Sequence, residues 1–280
     1  MKLKNKNWAL VLSGGGAKGI AHVGALRGLE KLGLKPDLIV GASMGAIIGG
    51  LYCSGMTIDD MIDVLENQFE LKDHMDLPHM EHPDTRLWKL LHDIETCRLM
   101  GERYGLDKQD SVLDFFRELT GDRLLENTDI PLVINAVDLL SSRQVELDSG
   151  SIATAMRASM AIPGVFTPVL QDDMVLVDGG ILDNMPVAIA RRRGFETVVA
   201  LNVGKPVLPQ HLGSAMSILA TAVWTAGRKP DRTGNDKPTM EIKIDVEVQE
   251  QDFGSVMPYV EAGEQAVFDT LPKINDDFYR

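Results

Sequence analysis

Residues 38–51 read LIVGASMGAIIGGL, and Gly41, Ser43 and Gly45 fall in the order G-x-S-x-G. In that pattern the serine occupies a sharp strand-to-helix turn that holds its hydroxyl out at the end of a sheet. Glycines flank it because the turn leaves little room for a Cβ. A helix that starts just after Ser43 aims backbone N–H groups and a partial positive charge at the reacting centre. Together these supply acyl transfer through a serine nucleophile. The same residues also make a plain Gly-rich strand–helix joint, so the motif alone does not decide.

A second stretch, GGGAKG from Gly14 to Gly19, follows an apolar run and precedes a helical pattern. Gly14, Gly16 and Gly19 formally satisfy G-x-G-x-x-G, which in this context fits a dinucleotide site. That reading expects an acid after the second strand, whereas the second strand here runs into Gly41-Ala42-Ser43 and Asp37 precedes it. A phosphate-binding P-loop is excluded because Gly19 is followed by Ile20. What remains is a nest of backbone N–H groups on the same sheet edge as Ser43. Donors from Gly15 and Gly16 are candidates for an oxyanion hole, where one donor is worth ~10²–10³ in rate. Lys18 either orients this loop or is a solvated helix-start lysine, and the lone His22 reads as a packed or hydrogen-bonded residue.

The serine needs a base. In a Ser…Asp…His order the only histidine after Asp178 is His211, in a Pro-flanked loop. Asp178 itself ends a strand pattern, Met174 to Val177, and precedes Gly179 and Gly180, so it can reach the edge that carries Ser43. A carboxylate in direct contact accepts a serine proton if a dry pocket raises its basicity. A simple Asp-Gly turn after a strand explains the same residues.

The elements that must position these residues follow from hydrophobic patterning. Trp8–Leu12 and Leu38–Val40 are short apolar runs, each followed by a helical pattern, which predicts parallel strands covered on both faces. Further strands are expected at 131–137, 143–147, 174–177, 197–203 and 240–244. Helices are expected at 20–32, 57–69, 111–119, 151–160, 186–193, 214–227 and 259–271. Residues 70–110 carry four of the six histidines and no strand pattern, and read as a helical cap or mobile insertion. Leu87, Trp88, Leu90 and Leu91 there could face an acyl cleft or simply pack as a helix face. The 280 residues thus predict one domain, a three-layer α/β/α fold with a mostly parallel central sheet.

Composition narrows the function class. A formal net charge of −13 argues against nucleic acid as the main partner. Two cysteines, Cys53 and Cys97, give no disulfide framework and suggest a reducing compartment. The five apolar residues Trp8–Leu12 are too few for a signal-peptide core, and no run approaches a membrane span. The expectation is a cytoplasmic protein whose membrane contact, if any, is peripheral at the inner face. Arg191, Arg192 and Arg193 read as a solvated helix end, with contact to phosphate headgroups as the alternative.

Four blocks, GGGAKG (14–19), GASMG (41–45), ASMAIPGVF (158–166) and VDGGILDNMP (177–186), together resemble the patatin-like phospholipase family. They are most similar to its bacterial members of the neuropathy-target-esterase type. The resemblance runs from about residue 8 to residue 204, in the family's order. It implies a Ser43–Asp178 dyad without histidine and an oxyanion hole from the glycine loop, here Gly14, Gly15, Gly16 and neighbouring amides. It implies hydrolysis of lipid acyl esters with no cofactor and no metal. It also matches Lys18, Asn184 and Pro186, the last two shaping the aspartate loop, and Ser159 and Pro163 in the block that lines the site, in roles more structural than chemical. A low-turnover lipid-sensing or scaffold protein on the same fold is the alternative.

Overall fold

In the computed structural model the described residues are 7–67, 105, 107, 109–204, 218, 221–222, 225, 227, 229, 232–246 and 255–277. Most of the expected 70–110 insertion, the bulk of the 214–227 helix, Cys97 and His211 lie outside them.

The chain opens with β1 (Trp8–Leu12), buried along its whole length. A 3-10 turn, Gly16–Ile20, leads into α1 (Ala21–Lys31), so the first helix starts with a tighter turn than its apolar pattern indicates. β2 (Leu38–Ala42) and α2 (Met44–Cys53) follow, then α3 (Ile58–Asn67). Thr57 caps α3: its hydroxyl accepts the Asp60 N–H at 3.1 Å. After the inserted segment come α4 (Gln109–Thr120), β3 (Leu132–Asp138), β4 (Arg143–Leu147) and α5 (Ile152–Ser159). The rest is β5 (Val169–Gln171), β6 (Met174–Asp178), α6 (Val187–Arg192), β7 (Thr197–Asn202), β8 (Met240–Lys243) and α7 (Met257–Asp277).

Parallel pairing joins β3, β2, β1, β7 and β8 in that order. Inward residues alternate between the two faces of this parallel core. Leu10, Leu12 and Ile39 pack with α1, α2, α5 and α7, whereas Ala9, Val11, Val40, Val198 and Ala200 pack with α6. That gives the three expected layers, with the heavier helical layer on the first face.

The other three strands form an antiparallel margin. Ile134 of β3 pairs with Gly41 of β2 and Leu147 of β4, so β2 and β4 take opposite edges of β3. Ala136 pairs with Val145 of β4 and Asp178 of β6, so β6 lies on the same edge as β2. β2 therefore runs up that edge to Ala42, opposite Asn135, and β6 runs down it to Asp178, opposite the next residue, Ala136. The two strands meet end to end. β5 is not foreseen by patterning because it has only three residues. It forms a hairpin with β6 through Asp172 and Asp173, both at positive φ (49° and 63°), as a primed two-residue turn requires.

Candidate active site

Ser43 sits between β2 and α2 with φ 51° and ψ −123°, a conformation costly for a residue with a Cβ. Packing enforces it. A Cβ at Gly45 would stand 2.3 Å from the Leu12 carbonyl oxygen, and one at Gly41 would stand 2.6 Å from Ala46 Cα. Helix α2 is thus pressed against the sheet as only glycine allows. The Ser43 carbonyl accepts the N–H groups of Ala46 and Ile47 at 2.9 and 3.1 Å. Its own N–H donates to Ser159 Oγ at 2.9 Å, and that hydroxyl donates to the Asn135 carbonyl at 2.7 Å.

Asp178 is brought to Ser43 by the end-to-end meeting of β2 and β6. Sequence reasoning had both residues on a common rim of strand ends, but β6 is antiparallel to β3 and approaches from the opposite direction. The Asp178 N–H donates to the Ala161 carbonyl at 3.0 Å. The end of α5 and the loop after it therefore hold both backbones, Ser43 through Ser159 and Asp178 through Ala161. That explains the ASMAIPG block in structural terms.

The Asp178 carboxyl is 2 % exposed. Burial pushes its pKa up to about 6, while the Gly180 N–H and the Ser43 hydroxyl favour the charged form. Oδ1 accepts the Gly180 N–H at 2.7 Å. Oδ2 is buried without a hydrogen-bond partner among the described residues. The Ser43 hydroxyl thus acts electrostatically on the carboxylate, with no hydrogen bond formed to Oδ2 among the described residues. Such contacts tighten when substrate binds.

The glycine loop meets the same place. The Gly14 N–H donates to the Asn184 carbonyl at 3.0 Å, and Asn184 Nδ2 donates to the Gly14 carbonyl at 2.9 Å. Gly14 is thereby clamped, and its amide, one of three candidate oxyanion donors, already has a partner. No hydrogen bond among the described residues uses the Gly15 or Gly16 amide. Below the loop, His22 is fully buried with Nε2 2.8 Å from the Ser13 carbonyl, and burial lowers its pKa to about 4. It is a neutral packed histidine that donates from Nε2, as its lone position indicated.

Two buried polar residues that support the site were not singled out from sequence. Asn135, fully buried in β3, donates from Nδ2 to the Asp183 carbonyl at 2.9 Å and accepts from Gln144 Nε2 at 2.9 Å. Asp183 accepts Lys229 Nζ at 2.9 Å and Arg232 at 2.8 Å, which pins the loop after Asp178. The signal for Asn135 was available: it is a lone amide inside the apolar run LVINAV. Arg192 and Arg193 pair with Glu146, Arg193 also with Asp148, and Arg191 donates to the carbonyls of Phe195, Glu196 and Lys237. These arginines are engaged within the protein, which removes the support for a headgroup role. Cys53 is buried, and burial pushes its thiol up to about 12, as suits a structural residue.

A strained serine turn at the carboxyl end of a parallel strand, facing a buried basic carboxylate and a glycine loop, places the chain among α/β proteins with a nucleophile-elbow architecture. The family model described as patatin-like phospholipase matches residues 10–191, and the chain belongs to that family. It is 30% identical over 210 residues to lysophospholipase nte1 of Emericella nidulans, covering 74% of this chain and 13% of that protein. It is 34% identical over 184 residues to an NTE family protein of Mycobacterium tuberculosis, covering 64% of this chain and 44% of the relative. The chain therefore spans less than half the length of these curated relatives. VipD from Legionella pneumophila shares the fold, with a TM-score of 0.51 at 14% identity over 96% of this chain and 67% of that one.

Proposed function

We propose that this protein is a serine acyl-ester hydrolase of lipids, with Ser43 as nucleophile and Asp178 as base. The observation that carries the reading is the buried Asp178 carboxylate, raised to about 6 and with one oxygen unpartnered among the described residues, next to a serine on a strained turn. At neutral pH this carboxylate is ionised yet basic enough to take a proton from the Ser43 hydroxyl. The alkoxide attacks the acyl carbon, and the negative charge passes to the carbonyl oxygen. The amides of Gly15 and Gly16, and those opening α2, are the donors for that oxyanion. Asp178 then gives its proton to the departing alcohol. In the second half Asp178 activates water, which releases the fatty acid and restores Ser43.

The substrate class follows from relatives named lysophospholipase and from a family named for phospholipase. We read the substrate as an acyl ester of a glycerophospholipid or lysophospholipid, met by peripheral contact with the inner face of a membrane. Among the described residues no helix is long and apolar enough to cross one. We read the chain as one catalytic domain.

Hydrolysis of a panel of phospholipids, lysophospholipids and triglycerides, with Ser43→Ala as control, tests this. The expected result is fatty-acid release from at least one phospholipid class and a loss of at least ~10³ in kcat for the variant. Turnover that survives Ser43→Ala, or no release from any lipid ester, refutes it. His211→Ala should be almost silent; a comparably deep loss there would point to a triad.

A further inference from the structure

Asn184 does more than hold the glycine loop. Its Nδ2 is committed to the Gly14 carbonyl, which fixes the orientation of the amide and turns Oδ1 the other way. That oxygen is buried and has no hydrogen-bond partner among the described residues. Two glycines show where it points. The position of a Cβ on Gly14 lies 2.3 Å from Asn184 Oδ1 and 3.0 Å from Ser43 Cβ. The position of a Cβ on Gly180 lies 2.9 Å from the same oxygen and 3.0 Å from Asp178 Oδ1. Asn184 Oδ1 thus borders the same glycine-lined spaces as Ser43 Cβ and Asp178 Oδ1, spaces that a side chain on Gly14 or Gly180 would fill. Both unpartnered oxygens of this centre, Asn184 Oδ1 and Asp178 Oδ2, are acceptors. Two buried acceptors lacking donors in one centre suit a molecule with two protons to give.

We propose that Asn184 is a positioning residue for the deacylating water. The inference rests on the reading of Ser43 and Asp178 as the dyad. One water proton goes to Asp178 Oδ2 as the base, and the other is held by Asn184 Oδ1. With both protons fixed, a lone pair on the water oxygen is aimed at the acyl carbon on Ser43. The carbon–oxygen bond to water forms as its proton passes to Asp178. The bond from the acyl carbon to Ser43 Oγ then breaks, and the proton on Asp178 returns to Oγ. The acid leaves and the enzyme is unchanged. In the first half-reaction Asp178 takes its proton from the covalently held Ser43, so Asn184 Oδ1 is not needed there.

The test separates the two half-reactions in Asn184→Ala and Asn184→Asp. With a p-nitrophenyl acyl ester, the rapid release of nitrophenol gives the acylation rate. Decay of the isolated acyl-enzyme, followed by intact mass, gives the deacylation rate. Both variants lose the clamp on Gly14, but Asn184→Asp keeps an acceptor oxygen, so their difference reports the acceptor. Measurements are made on the alkaline plateau, where a second carboxylate no longer changes the ionisation of Asp178. In Asn184→Ala, deacylation should fall ~10²-fold while acylation falls by no more than about tenfold, so that acyl-enzyme accumulates. In Asn184→Asp, both rates should fall together. Equal losses in both half-reactions of Asn184→Ala, or the same pattern in both variants, overturn the proposal and leave Asn184 as a clamp. Absence of any adduct on Ser43 in the unaltered protein would instead remove the dyad on which the proposal rests.

Discussion

Replacing Asp178 with asparagine should abolish activity and, at neutral pH, stabilise the fold. Burial holds this carboxyl at about 6 in the folded protein against an ordinary 3.8. Below pH 3.8 it is protonated in both states and burial costs it little. As the pH rises from 3.8 through 6, the unfolded chain loses the proton first. Stability from this group is therefore present in acid and lost as the pH rises through the folded value. A gap of about two units at 1.36 kcal/mol each makes the loss ~3 kcal/mol. Asparagine keeps an oxygen for the Gly180 N–H and carries no charge, so it escapes that loss. Urea unfolding of both proteins from pH 4 to pH 8 reads the difference directly, because other titrating groups cancel between them. The variant should gain ~1–3 kcal/mol at pH 8 relative to the unaltered protein and little at pH 4. A variant less stable at pH 8, or a difference that does not change with pH, would refute the claim that burial raises this carboxyl.

Other predictions follow from the same geometry. The value of kcat/KM should rise about tenfold per unit below pH 6 and level off above it, since Asp178 must be ionised to act. A limb near pH 7 that His211→Ala removes would contradict this. Ser159→Ala takes away the acceptor for the Ser43 N–H and the donor to Asn135. It should cost ~1–3 kcal/mol in urea unfolding and lower kcat by about tenfold or more; unchanged kcat would mean the serine turn needs no such anchor. Arg157 is buried in an ion pair with Asp107, whose Oδ1 also accepts the Thr167 N–H at 2.6 Å. Asp107→Ala leaves that guanidinium uncompensated and should cost ~3–5 kcal/mol, read as a lowered unfolding midpoint. A loss under ~1 kcal/mol would show that the end of the inserted segment is not held there.

Much of the site was legible because its chemistry is contiguous. Ser43 and its two glycines lie within five residues, and the strain at Ser43 follows from that spacing. The glycine loop was equally local, but the fate of Gly14 was not. Its amide and carbonyl are both taken by Asn184, 170 residues away, and no local pattern encodes such a partner. Asp178 was legible as a strand end, but the direction from which it reaches Ser43 was not. An apolar run of four residues, Met174 to Val177, reads the same whether its strand is parallel or antiparallel, and only the register on β3 reveals that β2 and β6 meet head-on. The fold was clearest where the parallel strands are buried on both faces, as at Trp8–Leu12 and Thr197–Asn202. It was least clear at β5, whose three half-exposed residues carry no period. Asp107 was invisible as a structural residue, since its partners Arg157 and Thr167 lie 50 and 60 residues further along the chain.

The account stands on an activated alcohol at one position. Reaction with an alkyl fluorophosphonate, followed by peptide mapping and by the rate of labelling, tests it most directly. A single adduct on Ser43 should form in the unaltered protein, be absent from Ser43→Ala, and form at least ~10³ times more slowly in Asp178→Asn. An adduct on another residue, or a labelling rate indifferent to Asp178, would contradict it.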